Sequence, residues 1–89
     1  MNEWVLWSAD LPDGGTVVLD GRREDGLANS LARFASDGQR LWSVESPVSS
    51  DGWIRARLAE GHVQAWSWGG WRIHYELRSG RELGRTWTK

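Results

Sequence analysis

The chain has 89 residues, of which 39% are apolar and 26% charged, and a net charge of −1. That is the length of one domain, near the size where a single core supplies only a modest stability margin. The composition excludes both a highly charged disordered chain and a membrane span. Eleven basic against twelve acidic side chains leave no broad positive field for phosphate contacts, so nucleic acid is not an expected partner. Cysteine is absent, which removes disulfides and thiolate metal sites and leaves packing, with or without self-association, as the source of stability.

From the N-terminus, Met1-Asn2-Glu3-Trp4-Val5-Leu6-Trp7 has no basic start followed by a long apolar run. Neither a signal peptide nor an anchor is expected, and a cytoplasmic protein is the default reading. Strands are predicted at residues 4–9 and 16–20, separated by Asp13-Gly14-Gly15. That turn opens a series that continues with Asp20-Gly21, Asp25-Gly26, Asp37-Gly38, Asp51-Gly52, Glu60-Gly61, Gly69-Gly70 and Ser79-Gly80. Such pairs supply the positive φ of tight hairpins, and the runs of Val, Ile, Trp and Tyr between them fit pleated, half-buried strands.

Residues 26–35 admit two readings. Leu27, Leu31 and Phe34 fall at helical spacing behind an Asp25 cap, whereas a strand over 30–35 pairs through Asp37-Gly38 with a strand at 41–45. The strand is favoured. After a loop at 47–52 come strands at 53–58, 62–68, 71–77 and 82–88. Alternation is clearest at 71–77, where Trp71, Ile73, Tyr75 and Leu77 share one face and Arg72, His74 and Glu76 the other. Over 53–58, Ile54, Ala56 and Leu58 alternate with Trp53, Arg55 and Arg57. Over 62–68 the small residues Val63, Ala65 and Ser67 oppose His62, Gln64, Trp66 and Trp68. The expected fold is all-β, a single domain of about eight short antiparallel strands in two four-stranded halves, about 1–46 and 53–89.

A shift of forty-two residues lays Arg33-Phe-Ala-Ser-Asp-Gly-Gln-Arg-Leu41 on Tyr75-Glu-Leu-Arg-Ser-Gly-Arg-Glu-Leu83. A period of ~40–45 residues is that of a four-stranded propeller blade. The segment Arg33-Phe34-x-x-Asp37-Gly38-x-x-Leu41-Trp42 resembles the blade signature of quinoprotein-type (PQQ-like) β-propellers. The run Ala65-Trp66-Ser67-Trp68-Gly69-Gly70-Trp71-Arg72-Ile73, with Ser79-Gly80, Leu83 and Trp87-Thr88-Lys89, is similar to a group of small uncharacterised bacterial proteins of about this length. The resemblance covers roughly residues 26–89 and implies blade-like units without an established activity. Glu76 stands where such blades often carry Asp, and Gly84 replaces the second Trp, so no cofactor is carried over. Propellers close with about four to eight blades. Two blade-like units alone make a small sandwich or barrel, which is preferred for so short a chain, or a two-blade fragment that needs other copies to complete a ring.

Eight tryptophans are several times ordinary usage. Trp4 or Trp7, Trp42, Trp71 and Trp87 are expected to fill a thin core, at ~150–250 Å² each. Trp53, Trp66 and Trp68 lie opposite the aliphatic or small residues of their strands. With Arg55 and Arg57 they form the candidate binding face, as a protein-binding hot spot or a sugar-stacking platform; burial under a loop or second sheet is the more ordinary fate. The arginines suit an acidic partner or cation–π stacking, against the ordinary reading of a solvated outer face. His62 and His74 can meet across a hairpin, but no zinc-type spacing is present and no metal is expected. The aspartates mostly precede Gly and are explained by turn chemistry. With no nucleophile elbow and no phosphate loop, neither catalytic residues nor a cofactor are expected. The expected function is that of a non-catalytic interaction protein with a protein partner, of an immunity or accessory type. The alternatives are a sugar-type binding module and a self-assembling propeller fragment.

Overall fold

Three loops of one design shape the first half of the chain. The computed structural model describes residues 5–46 and 51–88; Trp4, residues 47–50 of the mid-chain loop and Lys89 lie outside the described residues. In loops 11–15, 23–27 and 35–39 the third residue is Asp and the fourth Gly. Each Asp carboxylate accepts the backbone N–H two residues on: Asp13 from Gly15 at 2.8 Å, Asp25 from Leu27 at 3.0 Å and Asp37 from Gln39 at 2.9 Å. This is the local bonding that favours Asp in turns. The loops join β1 (Val5–Asp10), β2 (Thr16–Arg22), β3 (Ala28–Phe34) and β4 (Arg40–Glu45) into an antiparallel meander. Residues 28–34 are strand: Asp25 caps no helix because its carboxylate is used inside the β2–β3 loop, and β3 pairs on both sides.

The second meander comprises β5 (Trp53–Ala59), β6 (His62–Ser67), β7 (Trp71–Glu76) and β8 (Glu82–Trp87). Among the described residues a single bridge pair, Ala28 with Trp53, joins the two meanders through β3 and β5. All eight strands therefore form one sheet in the order β1-β2-β3-β5-β6-β7-β8, with β4 attached to β3. The sheet is open, with β1 and β8 at the ends of its path, and is not closed into a barrel. Among the described residues there is no helix, and none long and apolar enough to cross a membrane.

Alternation places Val17, Leu19 and Leu31 of the first meander on the same inner surface as Ala56, Val63, Ala65, Ile73 and Tyr75 of the second, in one buried cluster. Trp53 lies within that cluster at 0% exposure, its ring edge-on to Tyr75 at 6.1 Å. The radius of gyration, 12.1 Å, is the ~12 Å of a compact chain this long. Two hydrogen bonds clamp the meanders together at the far end: Trp42 Nε1 and Arg33 Nη1 both donate to the Leu77 carbonyl, at 2.9 Å each. Arg33 also reaches Asp13 at 2.9 Å.

Several sequence expectations are corrected here. Asp20-Gly21 is no hairpin turn: it lies inside β2, with Gly21 at φ +72°. Asp51-Gly52 is no turn either. Asp51 is buried, and its Oδ1 accepts the N–H groups of Gly52 at 2.8 Å and Gly69 at 2.9 Å, tying the start of β5 to the β6–β7 turn. Trp7, Trp42 and Trp71 pack half-buried against the core as expected, but Trp87 is 53% exposed on the edge strand β8.

Candidate interaction face

The outward side of the second meander is set by strand register. Arg55 of β5 is paired with Trp66 of β6, and Trp66 with Arg72 of β7. Two residues further along, Arg57, Gln64 and His74 form the next row, continued by Gly84 of β8. Directly opposed residues on a pleated sheet point to the same side, so Trp66 is flanked by a guanidinium on each neighbouring strand. Arg55 lies over the Trp66 ring with its Cζ 4.3 Å from the centroid, a cation–π arrangement. Arg72 is half-buried, and its Nε is shielded from solvent without a hydrogen-bond partner. Among the described residues none of Arg55, Arg57 and Arg72 has an ion pair; Arg81 and Arg85, in contrast, meet Glu76 and Glu82.

Trp53 does not belong to this face. A bulge between Trp53 and Arg55 resets the alternation at the start of β5, turning Trp53 inward and leaving Ile54 38% exposed. Its indole N–H points to the Val44 carbonyl at 3.4 Å. The bulge sets Trp53, the bridge partner of Ala28, into the core where the two meanders meet and so breaks the simple two-residue period. Of the five residues named from sequence, Arg55, Arg57 and Trp66 come together, and Trp68 projects from the adjoining turn at 64% exposure. Arg72 completes the row. Its outward position was legible in the strand alternation, but its place beside Trp66 depends on register.

Next to this row, His62 and His74 do meet, with ring centroids 5.4 Å apart. They border a shallow groove of about 350 Å³ lined also by Leu83, Gly84, Arg85 and Thr86. Burial lowers the His74 pKa below the usual imidazole value, and the nearby His62 and Arg72 charges lower it further. Among the described residues no three His, Asp or Glu side chains are grouped as a metal site would require.

The halves of the chain also differ in charge, a signal readable from sequence that the strand patterns obscure. Residues 1–46 carry eight carboxylates against four arginines, a net −4, while residues 47–89 carry four carboxylates against six arginines and one lysine, a net +3. Compared with models of known protein families and with curated proteins, the chain matches none.

Proposed function

We propose that the chain is a non-catalytic interaction protein whose outward β5–β6–β7 face binds an acidic surface on a protein partner. The observation that carries this reading is the row Arg55–Trp66–Arg72, two guanidiniums without ion pairs astride an aromatic ring on a rigid sheet. Arg and Trp dominate interface hot spots, and guanidinium–carboxylate pairs are among the stronger directional contacts. A protein is preferred to a flat sugar because Arg55 already occupies one face of the Trp66 ring that a sugar would stack on.

The test is fluorescence anisotropy of a labelled oligoglutamate peptide titrated with the full chain. Binding that weakens steeply with salt and falls at least ~10-fold in Arg55→Ala/Arg72→Ala is the expected result. Equal binding by wild type and double variant would remove the proposal, and saturable binding of a neutral oligosaccharide abolished by Trp66→Ala would favour the sugar reading instead.

A further inference from the structure

The acidic surface that fits this face is present on the chain itself. On the outward side of the first meander, register places Asp20 of β2, Ser30 of β3 and Glu45 of β4 in one row. The two carboxylates are two strands apart with a small residue between them. Arg55, Trp66 and Arg72 repeat that layout on the second meander, with guanidiniums two strands apart and a large ring between. At a strand spacing near 4.8 Å, both charge pairs span about 10 Å. Asp20 Oδ1 accepts the Gly21 N–H at 2.8 Å; among the described residues neither Asp20 nor Glu45 has an ion pair.

Outside these rows the charges are spaced differently: Asp10 lies about 13 Å along the sheet from the Asp20 row and Arg57 about 7 Å along from Arg55, so the match is carried by the two rows themselves. Arg40, opposite Phe34, is the cation at the Asp10 corner. Of the acids in the adjoining loops, Asp13 is paired with Arg33 and Asp25 with Arg23, whereas Asp20, Glu24 and Glu45 have no ion pair among the described residues.

We infer that a second copy of this chain is a partner for the basic face, the Arg55–Trp66–Arg72 row of one copy meeting the Asp20–Ser30–Glu45 row of the next. This rests on the reading above that the basic face binds an acidic protein surface. Both inner faces are committed to the shared core, so each copy presents one basic and one acidic outer face. Such a contact is heterologous: every copy added leaves one face of each sign open, and assembly continues head to tail unless it closes into a ring.

Light scattering and sedimentation of the full chain test this, with two variants confirmed folded by circular dichroism. Asp20→Asn/Glu45→Gln disables the acidic row and Arg55→Ala/Arg72→Ala the basic row. Wild type is expected to reach at least twice the monomer mass at ~50 mM salt and to return to monomer at ~500 mM, where screening is nearly complete beyond contact distance. Each variant alone should stay monomeric. An equimolar mixture should form a one-to-one dimer and stop there, because only one complementary pair of faces remains. A wild type monomeric at every salt, or a variant that assembles like wild type, overturns the inference. The oligoglutamate titration separates the two claims: a monomeric wild type that still binds the peptide through Arg55 and Arg72 loses self-association alone, whereas loss of peptide binding removes the acidic-partner reading as well.

Discussion

In the β3–β4 hairpin Gly38 sits at φ +90° with open space where a Cβ would be; forty-two residues later, in the β7–β8 hairpin, Gly80 sits at φ +76° and a Cβ there would lie 2.6 Å from the Trp42 ring. The hairpins share more than this glycine. Each has a register shift near the end of its first strand, between Arg33 and Phe34 or between His74 and Tyr75. Leu41 and Leu83 are correspondingly 47% and 49% exposed. What differs is tertiary: the first hairpin leans Arg33 and Trp42 onto the turn of the second, while its own turn is free. Similar local sequence yields similar backbone, and neighbours decide what each residue contributes.

The largest expected effect tests whether the halves are one cooperative unit. Trp53→Ala empties the junction of the two meanders and should cost about 3–5 kcal/mol. Urea unfolding followed by Trp fluorescence and far-UV circular dichroism should give coincident transitions; separate transitions would show that the meanders fold independently. The paired glycines come next. Gly38→Ala should cost about 1 kcal/mol for the left-handed backbone alone, whereas Gly80→Ala adds overpacking against Trp42 and should cost about 2–4 kcal/mol. Equal losses in denaturation midpoints would mean that Trp42 yields freely and the contrast between the hairpins is only local.

A smaller effect concerns pH. Burial, reinforced by Glu82 and opposed by Arg85, pushes the Tyr75 phenol up to about 12. Ionisation is thus harder in the folded chain than in the unfolded one, where the phenol titrates near 10. Stability should be constant with respect to this group below pH 10 and fall as pH rises from there towards 12. Tyr75→Phe should flatten that alkaline fall in thermal melts; an unchanged slope would locate the titration elsewhere. The smallest expected change in stability is for Arg55→Ala, under about 1 kcal/mol for an exposed cation–π contact. The same substitution should weaken oligoglutamate binding, and a variant that lost stability but not binding would move Arg55 from the interaction face to the scaffold.

Local chemistry already placed the eight strands, the turns at Asp13-Gly14-Gly15, Asp25-Gly26 and Asp37-Gly38, and the outward set His62, Gln64, Trp66, Arg72 and His74. Turn geometry and two-residue alternation act over a few neighbouring residues, so they can be read along the chain. Trp53 broke that rule because a bulge and one bridge pair to Ala28 turned it into the core. Asp51 looked like another turn aspartate and became a buried acceptor for Gly69, eighteen residues away. Gly80 under Trp42, and the Arg55–Trp66–Arg72 row itself, likewise depend on which strands lie side by side and in what register. Those relations are set by how the two meanders share one core, a long-range property that only the tertiary structure decided.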